Sequence, residues 1–188
     1  MYVFLIPLLL GFALNSASAF TAAYSRRWGE RRGQLASLLL RNVLGIPVWV
    51  VGLALAMRTP SPMLFTSGPV TEALGWLLVA AGSCVILGAL LPLGWRAVMP
   101  SVRDTLVVRG LYAHVRHPLY CGVLLEFAGL ALLNPTQAVV LACALGVGWV
   151  VLQARLEELD LLQRMPAYRE YMERVPRFVP HLSRRKAS

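Results

Sequence analysis

Three long, mainly apolar stretches, residues 2–23, 38–57 and 70–93, dominate the first half of the chain. Each has the ~18 to 25 apolar residues that a helix needs to cross the hydrocarbon of a bilayer. Hydrophobic residues make up 57% of the 188-residue sequence and charged residues only 14%, which is far from the composition of soluble domains. The sequence therefore predicts an all-α integral membrane protein and excludes an ordinary soluble domain.

A fourth apolar stretch, residues 119–152, is divided by Asn134 and Pro135 into two arms. Each arm has about 15 residues, so at ~1.5 Å per residue it falls short of a ~30 Å hydrocarbon core. We expect the two arms to form a short helical hairpin with Asn134 and Pro135 at its tip. With the three earlier stretches, this gives about five transmembrane helices.

Beyond the hairpin, apolar residues recur at helical spacing, as at Leu156, Leu159 and Leu162, with charged residues between them. This periodicity predicts that the last arm leaves the bilayer as an amphipathic helix. Pro166 then interrupts the pattern, and a short second helix is expected over residues 167–174. The chain should thus end in a cytosolic helical segment. The third connection, residues 95–116, is mixed polar and apolar and is expected to cap the helix ends beside that segment.

The basic residues are distributed unequally along the chain. Of the 18 Lys and Arg residues, only Arg58 lies in the second connection, and the others surround the first connection, the third connection and the C-terminal segment. Because basic residues in short loops stay in the cytosol, the N-terminus is expected outside and the C-terminus inside, in a multi-pass protein of a bacterial inner membrane. The net charge of +9 then favours anionic lipid headgroups as partners, and nucleic acid is not expected.

Two polar motifs flank the hairpin: RHPLYCG at residues 116–122 and EELDL at residues 157–161. A chain folded back at Asn134-Pro135 brings both motifs to one membrane face. Counted from the tip at ~1.5 Å per residue, the glutamates should lie about 11 Å further out than Tyr120, over the basic residues 109–116. A ligand held there would meet cations on one wall and carboxylates on the other.

The chain closely resembles the isoprenylcysteine carboxyl methyltransferase and phospholipid methyltransferase family of integral membrane enzymes. The resemblance lies in the order and spacing of three motifs: RHPxYxG, then NP, then EExxL. The resemblance covers residues 106–180. It implies one methyltransferase domain over residues 1–188, in which residues 1–105 supply the N-terminal transmembrane helices and residues 106–180 form the cofactor-binding catalytic region. The implied cofactor is S-adenosylmethionine, and the implied substrate is lipophilic: an isoprenylcysteine-like carboxylate, a lipid headgroup or a related small molecule.

In that family the two motif regions form the cofactor pocket together. Carried over residue by residue, the resemblance implicates Arg116, His117, Pro118, Tyr120, Gly122, Glu157 and Glu158 in cofactor binding. His117 is also a conceivable proton acceptor if the methyl acceptor is an amine. Methyl transfer from a sulfonium depends mainly on positioning and on a water-poor site, so no metal is expected.

Two further residues are candidates for catalysis. Glu126 lies inside the fourth apolar stretch, on the helical face of Gly122 and Gly129. A carboxylate is costly within a membrane, so this one needs an explanation. It could contact the substrate or form a structural hydrogen bond, and the sequence does not distinguish these two roles. Arg174 belongs to a run, YREY followed by RVPR, that resembles the C-terminal pattern of the family. Arg174 is the cation expected to bind an anionic headgroup or a substrate carboxylate. The alternative is that it is only one of the cytosolic basic residues that set the orientation of the protein in the membrane.

Two other functions remain open from the sequence. Membrane reductases of the sterol reductase type share a related C-terminal helical arrangement and bind NADPH, although the EExxL glutamates fit them poorly. A non-catalytic membrane scaffold could keep the outline of the pocket. The identity of the methyl acceptor is not indicated by the sequence.

Overall fold

The computed structural model describes residues 2–180, and within this range the chain is helical and forms no strand. Eight α-helices and three shorter helical turns follow one another. The α-helices are α1 (Leu5–Ala17), α2 (Thr21–Trp28), α3 (Glu30–Leu38), α4 (Ile46–Arg58), α5 (Pro69–Leu93), α6 (Pro118–Leu133), α7 (Gln137–Arg164) and α8 (Tyr168–Arg174). The shorter turns are a π-helical stretch at Leu39–Gly45 and 3₁₀ turns at Gly94–Ala97 and Gly110–Ala113.

Several helical segments have the length and apolar character of membrane spans. Within the described residues, Glu30–Arg58, Pro69–Leu93 and Gln137–Arg164 meet both conditions, and the bent pair α1 and α2 raises the number to four if it is counted as one span. Helix α6 is apolar but has only 16 residues. The predicted membrane-type helical fold is thus found with three to four candidate spans, while the count of about five stays a prediction.

The first apolar stretch, predicted as one span, is bent by 62° between α1 and α2. The break is stabilised by polar side chains, because the Ser18 hydroxyl donates to the carbonyl of Asn15 at 2.6 Å and the Tyr24 hydroxyl donates to the carbonyl of Ala17 at 2.8 Å. These bonds satisfy carbonyls that a helix end leaves without partners. Apolar content alone does not indicate such a break.

The second apolar stretch is helical throughout but contains the π-helical stretch Leu39–Gly45. Pro47 lies just beyond it and lacks the N–H that a regular helix would direct to a carbonyl one turn back. A widened turn ahead of the proline accommodates this missing donor. Such π-bulges often occur at functional sites, and this one carries Arg41 and Asn42.

The hairpin predicted for the fourth apolar stretch is present as α6 and α7, but its arms are unequal. Helix α6 has 16 residues and α7 has 28, because α7 continues past its apolar part through the acidic motif. At the tip, Leu64 N–H donates to the carbonyl of Pro135 at 2.8 Å, and Gln137 N–H donates to the carbonyl of Pro62 at 2.9 Å. The second connection and the hairpin tip therefore lie together, and both motifs lie at the opposite end of the molecule.

Helices α5 and α6 pack at very short distance. A Cβ added to Gly82 or to Gly122 would lie 2.6 Å from the carbonyl oxygen of the other residue, so only glycine permits this approach. The close contact fixes the start of α6, where the RHPLYCG motif lies.

The third connection caps the helix ends, as predicted. Arg41 donates to the carbonyls of Ala97 and Val98, and Arg164 donates to the carbonyl of Ser101 at 2.5 Å. The connection is thereby tied to both the π-helical stretch and the outer part of α7.

Candidate active site

A cavity of about 450 Å³ lies at the end of the molecule that carries the two motifs. Its volume falls in the range of ~300 to 1,000 Å³ that is typical of small-molecule sites. Helices α1 and α4 to α8, the π-helical stretch and the third connection all contribute to its wall. The N-terminal helices, predicted only as membrane anchors, therefore form part of the candidate site.

Glu158 lies just behind the cavity wall and is almost fully buried. Its Oε1 accepts hydrogen bonds from Arg116 Nε and His117 Nε2, each at 3.1 Å. Arg177 binds the same carboxylate through Nε at 3.1 Å and through its terminal NH2 group at 2.5 Å. The hydrogen bond to Glu158 raises the pKa of Arg177, so this guanidinium stays charged. Glu158 thus fixes the orientation of Arg116 and His117.

The backbone of the RHPLYCG motif is also held by the C-terminal segment. Arg116 N–H donates to the carbonyl of Pro176 at 2.8 Å, and His117 N–H donates to the carbonyl of Arg177 at 3.1 Å. The Arg116 side chain donates further to the carbonyls of Met172 and Val175. The segment after α8 is therefore an integral part of the site.

Glu157, unlike its neighbour, lines the cavity. It accepts a 2.5 Å hydrogen bond from the Tyr120 hydroxyl and a 3.2 Å hydrogen bond from Gln153, and His117 Nδ1 lies 4.0 Å away. Counting helical rise predicts that the glutamates lie about 11 Å further out than Tyr120 along the helices, yet the Tyr120 hydroxyl contacts Glu157. The tyrosine side chain extends along the gap between the helices, so its hydroxyl reaches the acidic motif.

The structure brings most of the predicted residues together. Arg116, His117, Tyr120 and Glu157 line the cavity. Glu158 supports them from behind. Pro118 is buried at the first turn of α6, and Gly122 faces α5.

The two other predicted catalytic residues lie away from this cluster. Glu126 points into the α5 contact, where the Ser83 hydroxyl donates to its Oε1 at 2.8 Å. Arg174 lies on the surface of α8, with an exposed ion pair to Glu170 at 3.4 Å. The arginine that enters the site from this run is Arg177.

Sequence reasoning missed several residues of the site. Arg177 stands three positions after the chosen Arg174 in the RVPR run, and nothing in the run distinguishes the two. The cavity residues Asn15 and Arg41 each interrupt an apolar stretch, and Gln153, which is fully buried, directly follows one. An isolated polar residue in a membrane helix is the signal that could have indicated them.

Two buried polar atoms that belong to cavity residues have no hydrogen-bond partner among the described residues: the Tyr168 hydroxyl and the Trp49 Nε1–H. Burial raises the pKa of Tyr168, and the charge of Glu158 acts in the same direction, so this hydroxyl keeps its proton. Both groups are donors that a bound molecule could use. Within residues 2–180, no group of three or more His, Cys, Asp or Glu side chains could hold a metal ion.

Within the described residues, the chain is helical and has helices of membrane-spanning type, and His117, Tyr120 and Glu157 meet at one cavity. The sequence model of the isoprenylcysteine carboxyl methyltransferase family matches residues 76–163, which include both motifs. This is the family that the two motifs are predicted to resemble, and the match covers 88 of the 188 residues.

One curated relative is the cobalt-zinc-cadmium resistance protein CzcN of Cupriavidus metallidurans, which is 34% identical over 153 residues. The aligned part is 79% of this chain and 59% of the relative, so the chain spans about three fifths of that protein's length. No solved structure matches the chain significantly.

Proposed function

We propose that this protein is an S-adenosylmethionine-dependent methyltransferase that acts on a lipophilic acceptor within the membrane. The observation that carries the proposal is the convergence of His117, Tyr120 and Glu157 on one wall of a cavity of about 450 Å³. The remainder of the wall is largely apolar, with Leu90 and Trp149 among its residues. A cavity that is polar at one end and apolar at the other suits a polar cofactor beside a lipophilic acceptor.

The residues present fit the cofactor. The ammonium group and ribose hydroxyls of S-adenosylmethionine need acceptors, and the Glu157 carboxylate faces the cavity. Its carboxylate needs donors, and Arg116 lies in the same wall. The unpartnered hydroxyl of Tyr168 is a further donor, and the rings of Tyr112 and Tyr168 offer faces for the adenine.

When bound, S-adenosylmethionine would supply an electrophilic methyl group to the acceptor. The protein's part is to position the cofactor and the acceptor and to exclude water. Glu158 holds Arg116 and His117 in place, and the third connection covers the polar end of the cavity. His117 and Glu157 are the cavity groups able to take a proton if the acceptor carries one.

Binding measurements on the purified protein test this function. Isothermal titration with S-adenosylhomocysteine is expected to show saturable binding, and titration with NADPH is expected to show none. Binding of NADPH in its place would support a reductase. Binding of neither ligand would support a scaffold and refute the proposal.

We also propose that the motif end faces the cytosol and that the hairpin tip faces outward, following the asymmetry of basic residues. In a variant whose native cysteines are replaced by serine, Cys at Met63 should react with an impermeant maleimide in intact cells. Cys at Arg109 should react only after permeabilisation. The reverse pattern would overturn this orientation.

A further inference from the structure

A second cavity, of about 510 Å³, lies at the surface between the end of α5 and the third connection. This outer cavity is lined by residues 91–94, Arg96 and residues 105–109. Residues 105–107 line both cavities, so this stretch separates the outer cavity from the candidate active site. Among the described residues, none from the RHPLYCG or EELDL motif lines the outer cavity. It is therefore distinct from the place where methyl transfer is proposed.

The outer cavity begins where a candidate membrane span ends. Helix α5 contains Pro92 in its last turn and ends at Leu93, and Gly94 follows with a φ of +54°. Leu87 and Leu91 lie one turn apart near this end and are 63% and 83% exposed. On a membrane span such side chains face the acyl chains, and the headgroup region begins directly beyond them. The outer cavity therefore lies at the level of the lipid headgroups, with an apolar helix face leading into it.

Two arginines line the outer cavity, and none of the described residues in its wall is acidic. Arg96 donates through Nη1 to the carbonyl of Thr105 at 3.2 Å and to its hydroxyl at 2.9 Å, and these bonds fix its orientation. Its ion pair with Asp104 is long, at 3.9 Å. Arg109 is exposed, and none of the ion pairs found in residues 2–180 includes it. The positive charge of this cavity is thus only partly compensated by the described residues.

The backbone of the same stretch adds hydrogen-bond donors. Residues 104–108 belong to no helix or turn, and Arg109 is extended, with a φ of −115° and a ψ of 164°. The N–H groups of residues 105–109 donate to none of the hydrogen bonds found among the described residues. Guanidinium groups and backbone N–H groups are the donors that bind phosphate oxygens. A phosphate placed beside the end of α5 would meet donors of both kinds.

We propose that the outer cavity binds the headgroup of an anionic phospholipid, with the phosphate at Arg96 and Arg109 and an acyl chain along Leu87 and Leu91. Basic pockets beside transmembrane helices bind anionic headgroups in this way. A zwitterionic headgroup fits less well, because its ammonium group meets no carboxylate among the described residues of the wall. The bound lipid lies against the back of residues 105–107, which line the candidate active site on their other side. This lipid is not the methyl acceptor, and its binding does not depend on the proposed methyltransferase function.

Native mass spectrometry of the full chain, released from detergent micelles, tests the occupant because it resolves individual bound lipids. The probes are dioctanoylphosphatidylglycerol, dioctanoylphosphatidylcholine and glycerol 3-phosphate, which has the phosphate but no acyl chain. The wild type is expected to bind one phosphatidylglycerol at least about fivefold more tightly than phosphatidylcholine, equivalent to about 1 kcal/mol. Glycerol 3-phosphate should bind much more weakly than phosphatidylglycerol. Equal affinity for the two lipids overturns the proposal, and so does glycerol 3-phosphate that binds as tightly as phosphatidylglycerol.

Three single variants locate the site. Arg109→Gln should lose most of the preference for phosphatidylglycerol, and so should Val108→Glu, which places a carboxylate on an exposed residue of the wall. Arg103→Gln is the matched control, because it removes the same charge from the third connection outside the outer cavity, and it should keep the preference.

Thermal unfolding of the three variants should stay close to that of the wild type, since each replaced side chain is exposed. An undiminished preference in both Arg109→Gln and Val108→Glu overturns the site. An equal loss in Arg103→Gln also overturns it, because the preference would then follow the net charge of the connection and not the outer cavity.

Discussion

The Tyr120 hydroxyl donates a 2.5 Å hydrogen bond to Glu157, and this contact joins the first turn of α6 directly to the outer part of α7. The next residue, Glu158, points about 100° away around the helix and binds Arg116, His117 and Arg177. The two adjacent glutamates therefore have separate roles. Glu157 faces the cavity, whereas Glu158 organises the residues behind its wall.

Replacing each glutamate by glutamine should separate these roles. Glu157→Gln is expected to weaken S-adenosylhomocysteine binding at least about tenfold, about 1.4 kcal/mol, with little change in thermal stability. Glu158→Gln leaves two arginines without their buried counter-charge, and breaking a buried pair costs about 3 to 5 kcal/mol. It should therefore lower the Tm clearly as well as weaken binding. Titration calorimetry and thermal unfolding of both variants provide the comparison, and identical behaviour of the pair would contradict it.

Arg177 and Arg174 form a matched pair for a second prediction. Arg177→Met removes both hydrogen bonds to the buried Glu158, which keeps Arg116 as a counter-charge, and should cost about 1.5 to 3 kcal/mol. Arg174→Met breaks only an exposed pair with Glu170, so its effect on stability should stay within about 1 kcal/mol. Methylation assays on the same variants decide whether Arg174 has a catalytic role. A severe loss of activity in Arg174→Met with its Tm unchanged would favour that role.

Glu126 is expected to stabilise the packing of α5 on α6, since its carboxylate accepts the Ser83 hydroxyl at 2.8 Å. Glutamine at this position can accept the same bond, so Glu126→Gln should retain the thermal stability and methylation activity of the wild type. Glu126→Leu should lower the Tm, because the part-buried Ser83 donor loses its partner at a cost of about 1 kcal/mol. A fall in methylation in the Gln variant, with S-adenosylhomocysteine affinity retained, would instead favour a contact with the substrate.

Much of the fold follows from apolar length. The stretch predicted at residues 70–93 corresponds to α5 at Pro69–Leu93, and the break at Asn134 and Pro135 corresponds to the hairpin tip. The bend between α1 and α2 was not predictable in this way. It depends on Ser18 and Tyr24 reaching particular carbonyls, and such hydrogen bonds leave no periodic pattern in the sequence.

The candidate site was predictable only where one motif contained its residues. Arg116, His117, Tyr120 and the paired glutamates are close in sequence to the helix ends that bring them together. The choice between Arg174 and Arg177 depends on how the chain turns after α8, because one end of the run lies on the surface and the other lies beside residues 116–117. Asn15 and Arg41 lie more than 70 residues before the first motif, and helical periodicity does not indicate which neighbour their faces meet.

The last prediction concerns a substitution at Gly122, and the same substitution at Gly148 is its control. A Cβ at Gly122 would lie 2.6 Å from the Gly82 carbonyl oxygen, a backbone atom that cannot rotate away, so Gly122→Ala must push α6 from α5. Since Tyr120 lies half a turn earlier on α6, the shift should weaken its bond to Glu157 and reduce S-adenosylhomocysteine affinity along with the Tm.

A Cβ at Gly148 in α7 meets nothing within 4 Å. Alanine is also a better helix former than glycine by about 0.5 to 1 kcal/mol, so Gly148→Ala should leave the Tm equal or higher and the affinity unchanged. Thermal unfolding and ligand titration of both alanine variants therefore separate a steric effect at the helix contact from a general effect of the substitution. If Gly122→Ala behaves like Gly148→Ala in both measurements, the close packing of α5 and α6 does not control the geometry of the site.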